Sequence, residues 1–441
     1  MASQFTLFKQ RKFVTMFFTQ FLGAFNDNVF KQALILVLTY SAATKMGVEI
    51  SLLNNLAAML FILPYFLFSA LAGQIADNYE KSFLTKKIKL LEIIIMLAAA
   101  IGFVFEWYWF LFLALFLMGT HSTFFGPIKY AYLPEVMKKE ELVSANGLFQ
   151  MGTSLAILTG MMMAGLLTQL NNALYWVSGV TVLVAALGYL ASNFIPKTLT
   201  PIPNKINWNI ITTSIDTINY LKSLPLLFFV VMGNSWFWFY GATFLTQTPE
   251  FSKKILHANE SVVILLLTLF SVGTALGSVL CKTLSKNQVN LKLLPWGIIG
   301  LSLFAIDLYL ALGNFNVAGT DSYFDIKTLM AVGGSFRIFL DLFLLGFCGG
   351  VYIVPLYAMM QAYAPARHRA RIVGANNIFN ALYMVGSAIF AMLLLGKLKL
   401  SIAQLFLITG IINAIFGGFL YKKLKQHEKT MTPSLDNKPV L

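Results

Sequence analysis

The chain has 441 residues, 58% of them hydrophobic and 11% charged, with a mean hydropathy of +0.74 and a formal net charge of +14. A soluble domain carries roughly a quarter charged residues, so this composition excludes a water-solvated globule of this size and points to lipid as the solvent. The basic residues sit in short segments between apolar runs, which is a topology signal rather than a nucleic-acid one, and no nucleic-acid partner is expected.

A bilayer core takes about 20 apolar residues per helix. Windows of that kind fall at 13–41, 51–75, 88–105, 107–130, 143–169 and 173–195, then at 225–248, 260–284, 292–313, 337–363, 372–396 and 401–421. The first is preceded by Lys9, Arg11 and Lys12 but is too long for a signal peptide's apolar region, and it contains Asp27 and Lys31; it reads as an uncleaved first helix. Between the sixth and seventh windows lies a polar segment with Pro196, Pro201 and Pro203. The expected organisation is a six-helix half over 1–195, a linker over 196–224, a second half over 225–421 and a polar, disordered tail over 422–441. Six helices, a linker and six more is the arrangement of the major facilitator fold, so the expected fold class is an all-α membrane protein of that fold. The halves echo each other at 127–149 and 355–379, where a Pro, a charged loop and an Ala-Asn pair (Ala145-Asn146, Ala375-Asn376) recur.

Most of the 32 Lys and Arg, among them Lys81, Lys86, Lys87 and Lys89, fall in segments on the side of the N-terminus. That bias puts both termini in the cytoplasm of a multi-pass inner-membrane protein.

Candidate functional residues follow in chain order. On the first helix Gln20, Asp27 and Lys31 fall within about 40° of one another. Asp27 lies near mid-bilayer, where a charge costs about 2.5–3.5 kcal/mol on insertion scales, so the stripe should face a wet cavity or a partner charge; a mutual Asp27–Lys31 pair is the structural alternative. In the second-to-third loop Gly73, Asp77 and Lys81 match a Gly-x-x-x-Asp-x-x-x-basic pattern, with Asn78 where an Arg is usual. The Gly allows close helix approach and the Asp can accept from a neighbouring helix N-terminus, a candidate conformational latch. Lys129, behind Gly126-Pro127, is either a phosphate ligand or a side chain snorkelling to the interface. His121 reads more readily as a packing residue than as a proton relay. Asn146, Gln150 and Thr153 on the fifth helix, and Asn376, Asn380, Tyr383 and Ser387 on the eleventh, form polar stripes that either line a cavity or join helices. Trp236 and Trp238 on the seventh helix line an acyl-chain path or belong to an interfacial belt. Arg337 and Asp341 stand one turn apart on the tenth helix as a gate or a simple pair.

Cys281 and Cys348 lie in apolar segments without metal or redox spacing, and the four His are scattered, so no metal and no cofactor is expected. Nucleotide-binding, hydrolase and metalloprotease motifs are absent, and no enzymatic activity is expected.

QFLGAFNDN (Gln20–Asn28), GQIAD (Gly73–Asp77), GPIKY with LPE (Gly126–Glu135) and LVSANGL (Leu142–Leu148) resemble the bacterial lysophospholipid transporter family, a major facilitator branch. SWFWFYGATFL (Ser235–Leu245) is similar to the transporter domain of longer proteins fused to acyltransferase and acyl-carrier-protein synthetase domains. The resemblance implies a flippase moving lysophospholipids, chiefly lysophosphatidylethanolamine, from the outer to the inner leaflet of the inner membrane for re-acylation. It implies that Asp27 and Lys129 are cavity charges; the acyltransferase that re-acylates the lysolipid is expected to be a separate cytoplasmic-side protein, and the carrier is expected to be a monomer. The family's usual Arg and Glu on the seventh helix are missing, with Glu250 only at its end, so Lys31 or Gln247 is expected to contribute to the headgroup site. The competing readings are a proton-coupled exporter of small amphipathic molecules, such as a drug or siderophore, with Asp27 as proton carrier, and a non-transporting scaffold.

Overall fold

The computed structural model describes residues 4–201, 205–286, 288–313, 315 and 323–428. Pro203, Asn314 and the tail beyond 428 lie outside the described residues. Among the described residues twelve long helices follow one another: α1 Arg11–Val37, α2 Ile50–Asn78, α3 Lys81–Val104, α4 Tyr108–Val136, α5 Leu142–Thr168, α6 Ala173–Asn193, α7 Pro225–Lys254, α8 Glu260–Leu284, α9 Leu294–Gly313, α10 Ser335–Tyr363, α11 Arg369–Ala391 and α12 Ile402–Glu428. Eleven of them are long and apolar enough to span a bilayer by length and composition. The twelfth, α3, has 24 residues and packs between α4 and α6, but its first half is charged. An even number of spans puts α1's start and α12's end on one face, here the N-terminal face; the other is the far face.

Two sequence expectations are corrected. Helix α12 runs on to Glu428, so residues 422–428 are helical rather than part of a disordered tail. Helix α3 begins at Lys81, so Lys89 is not a loop residue but lies inside the bundle with 0% of its surface exposed. Helix α3 can begin there because Glu80 caps it, accepting from the Ser82 and Phe83 amides at 2.9 and 2.7 Å. The same carboxylate accepts from the Thr198 amide at 2.7 Å, tying the α2–α3 loop to the stretch after α6. Burial alone would raise this carboxyl, but the amides of Thr198, Ser82 and Phe83 hold it down at about 2.

In the first half α1 packs on α5 and α6, α2 on α4, and α3 on α4 and α6; in the second α8 packs on α10, α9 on α10 and α12, and α7 on α10, α11 and α12. The halves meet along two matched seams, α2 with α11 and α5 with α8, with α4 and α5 also touching α10. Glycine makes these seams close. A Cβ on Gly374 of α11 would stand 2.4 Å from the Ser69 carbonyl of α2, and one on Gly147 of α5 would stand 2.5 Å from the Ser278 carbonyl of α8.

Candidate functional site

The seams seal the N-terminal face. Asp77, at the end of α2, accepts from the Ala370 amide at 2.8 Å and the Arg371 amide at 2.9 Å. These are orphan donors of α11's first turn, so a carboxylate there satisfies both the hydrogen bonds and the helix dipole. Gly73, one turn earlier, lies so close to α11 that a Cβ would be 2.7 Å from the Arg371 backbone. Lys81 pairs with Glu135 of α4 at 2.6 Å, within the first half. Deeper in the seam Asn146 and Gln361 exchange hydrogen bonds at 2.7 and 3.1 Å, and Tyr130 stacks on Tyr357 with ring centroids 4.6 Å apart. Every one of these contacts lies in the helix halves toward the N-terminal face. The space between the halves is therefore reached from the far face.

Above this seal three charged side chains of the first half are only half-buried: Asp27 and Lys31 of α1 and Lys129 of α4. Asp27 accepts from the Ser122 hydroxyl of α4 at 2.6 Å and leaves its second carboxylate oxygen without a partner. Both lysines interact electrostatically with Asp27, yet neither forms an ion pair with it among the described residues. Lys31 rests over the Phe61 ring at 5.0 Å; Lys129 lies over Tyr130 at 5.1 Å and Phe125 at 5.9 Å. The arrangement is one carboxylate and two ammonium groups, held on aromatic faces and free to take opposite charges from a guest.

A buried network lies behind these three side chains. Lys89 and Glu92 of α3 form an ion pair with neither side chain exposed. Glu92 also accepts from Asn26 of α1 at 2.9 Å and lies 3.3 Å from the His121 Nε2 of α4. His121 Nδ1 is 3.5 Å from Ser122 Oγ, so polar groups run from Glu92 to Asp27. Sequence reasoning missed this centre. Its available signal was the charged interruption of α3 and the i,i+3 spacing of Lys89 and Glu92. Removing one buried partner strands the other, at a cost of about 3–5 kcal/mol, whereas replacing both is far better tolerated. Glu92→Leu is therefore expected to lower the unfolding midpoint sharply in detergent, and Lys89→Met with Glu92→Leu to recover most of it. Equal losses for single and double variants would contradict the pair's role.

The other sequence candidates are dispersed. Gln20 is buried between α1 and α5, accepting from Thr153 at 3.1 Å, and so shares a helix face with Asp27 but not its surroundings. Gln150 is buried nearby. Asn376 accepts from Asn234 of α7 at 3.0 Å, and the Asn380 amide group donates to the Ser235 hydroxyl at 2.9 Å, so these asparagines join α11 to α7. Trp236 donates to Asn413 of α12 at 2.8 Å and stacks on Phe239 and Phe416, a packing position. Trp238 is half-buried, with its indole N–H 3.5 Å from the Tyr357 hydroxyl beside the seam. Arg337 engages Asp307 of α9 through two hydrogen bonds at the far face, and Asp341 is buried below it.

Twelve long helices among the described residues, in two six-helix halves sealed at one face beneath a half-buried group of charges, define a membrane carrier of the alternating-access type. The chain belongs to the Major Facilitator Superfamily, whose profile matches residues 16–388 and, in a second match, 249–439. It is similar to the lysophospholipid transporter LplT of Cronobacter sakazakii, 25% identical over 414 residues that cover 91% of each chain. The lysophospholipid transporter LplT of Escherichia coli is 26% identical over 395 residues, 87% of each chain. Among solved structures, the human organic anion transporter MFSD10 (TETRAN) aligns with a TM-score of 0.70 at 15% identity, over 94% of this chain and 99% of its own. A bacterial homologue of the iron transporter ferroportin, in an outward-facing state, aligns with a TM-score of 0.65 at 14% identity, over 93% and 99%.

Proposed function

We propose that this carrier is a lysophospholipid flippase, moving lysophosphatidylethanolamine and related lysolipids from the outer to the inner leaflet of the inner membrane for re-acylation. The observation that carries this reading is the half-buried group of Asp27, Lys31 and Lys129. A lysolipid headgroup brings a phosphate for the lysines and, in the ethanolamine form, an amine for the unpaired Asp27 oxygen; half-buried Trp238 and its aromatic neighbours offer the single acyl chain an apolar wall. The similarity to lysophospholipid transporters supports the same substrate class.

The basic-residue bias supports both termini, and hence the sealed N-terminal face, lying in the cytoplasm. The cavity then opens toward the outer leaflet, the side on which the substrate starts. Reporter fusions after Glu428 and at Asp325 are expected to report opposite sides, with the first cytoplasmic; a periplasmic reporter after Glu428 would reverse the direction assigned here. In this orientation Asp77 with Gly73 is the latch that parts when the substrate is released inward, Lys81 braces its base, and Arg337 with Asp307 and Asp341 lies where an outer gate would close. The carrier works as a monomer, and the re-acylating enzyme is a separate protein on the cytoplasmic side.

Lys129→Ala tests the headgroup assignment. Hydrogen bonds to charged groups contribute about 1.5–3 kcal/mol. Transport of phosphate-bearing lysolipids should therefore fall by roughly ten- to a hundredfold, while a single-chain amphiphile without phosphate is moved as by the wild type. Equal losses for both would leave Lys129 a snorkelling residue.

One observation favours a second reading, a proton-coupled exporter: the polar run from Glu92 through His121 and Ser122 to Asp27. It requires transport to stop when the proton gradient is collapsed.

A further inference from the structure

The polar linker contains one helix, Ile210–Lys222, that the transport cycle described above does not use. It packs against α2, α7 and α11 at the N-terminal face, over the seam that Asp77 closes. Asn209 caps its start, accepting from the Ile211 and Thr212 amides. The amide of Asn207 donates to Gln74 of α2 at 3.1 Å, and Tyr220 lies edge-on to His368, just before α11, with ring centroids 5.0 Å apart.

At about 100° per residue its side chains divide into three arcs. Thr213, Thr217 and Leu221 form one, and all three are buried against the bundle. Thr212, Asp216 and Asn219 form the second, exposed and polar. Ile211, Ile215 and Ile218 form the third, closing with Lys222 at its end; Ile211 is 72% and Ile215 52% exposed, and Trp208, just before the helix, is 67% exposed. A helix on the water-facing surface of a soluble part needs two arcs, one toward protein and one toward water. A third, isoleucine-rich arc between them is what a helix needs where a protein bundle, water and lipid meet. Exposed Lys205 and Lys222 flank the apolar arc, placed to reach phosphates while their stems stay in the apolar zone.

We propose that residues 205–222 dock in the headgroup–acyl boundary of the leaflet at the N-terminal face, with Trp208, Ile211 and Ile215 inserted among the lipids. The occupant of the apolar arc is lipid because exposed Trp208, Ile211 and Ile215 stand between exposed Lys205 and Lys222, an apolar patch bordered by cations that matches acyl chains bordered by phosphates. The helix thereby becomes a membrane-held strap across the α2–α11 seam, and it must shift in the interface whenever the halves part there. This inference is independent of the identity of the transported molecule.

The test uses single-cysteine spin labels in full-length protein with Cys281→Ala and Cys348→Ala, reconstituted in phosphatidylethanolamine–phosphatidylglycerol vesicles. At Ile211→Cys and Ile215→Cys, molecular oxygen should relax the label several-fold more effectively than a water-soluble nickel chelate. At Thr212→Cys and Asp216→Cys the order should reverse. Nickel accessibility at all four positions would place the whole helix in water and overturn the proposal. Neither reagent reaching Ile211→Cys and Ile215→Cys would mean that protein, not lipid, covers the arc, and would overturn it equally.

Discussion

Asp27→Asn is expected to cut lysophosphatidylethanolamine translocation by roughly ten- to a hundredfold or more while the protein inserts and elutes as the wild type does. The size follows from losing a charge-assisted contact in a site of low dielectric, about 1.5–3 kcal/mol. The substitution is nearly isosteric, and the Ser122 hydroxyl that now donates to Asp27 at 2.6 Å can still donate to the amide oxygen. Packing is thus preserved and charge alone is lost. The cavity is then left with Lys31 and Lys129 and no carboxylate, which repels the substrate's amine. Comparing translocation with the thermal unfolding midpoint separates the two effects. Near-normal lysolipid movement by Asp27→Asn would remove this carboxylate from the headgroup site.

The second large effect concerns the seal. Gly374→Ala and Gly147→Ala each put a Cβ at 2.4–2.5 Å from a backbone carbonyl of the other half. Alanine is the better helix former, so within α11 or α5 the change favours folding by about 0.5–1 kcal/mol. Across the seam it forces helices apart, and overpacking of that kind costs about 1–3 kcal/mol. The penalty exists only when the N-terminal face is closed. Both variants should therefore shift the carrier toward the state open at that face by roughly 5–150-fold. Spin labels at exposed Glu140 and Lys286, one on each half, should report a longer distance population. Gly165→Ala and Gly386→Ala, where a Cβ meets nothing within 4 Å, are the controls and should leave the distances unchanged. Unchanged distances in the seam variants as well would mean that these glycines do not hold the face shut.

The helices were legible because twenty apolar residues in a row admit few other structures in lipid. Helix α3, which begins seven residues before the window at 88–105, shows what such windows cannot see. Lys89 and Glu92 look like the edge of a loop until His121, near the middle of another helix, is brought beside them. The latch pattern could be read locally, since Gly73 and Asp77 are four residues apart. Its partners are the first amides of α11, nearly three hundred residues on. Helical periodicity groups residues by face but not by neighbour. Gln20 and Asp27 share a face of α1, yet one meets α5 and the other α4. Likewise Trp236 and Trp238 are two residues apart in the motif, but the rotation of about 200° between them sends the first into α12 and leaves the second near the seam. Arg337 found its partner on α9 rather than one turn away, because two i,i+4 side chains compete with any better-placed group on a neighbouring helix.

The proposed flippase needs no proton gradient, because a lysolipid re-acylated on arrival is drawn inward by its own concentration gradient. The most direct measurement reconstitutes the wild-type protein in liposomes and follows translocation of labelled lysophosphatidylethanolamine, with and without a protonophore. The expected result is movement well above protein-free liposomes that survives the protonophore. Movement no faster than in protein-free liposomes, or movement that disappears when the proton gradient is collapsed, would contradict it.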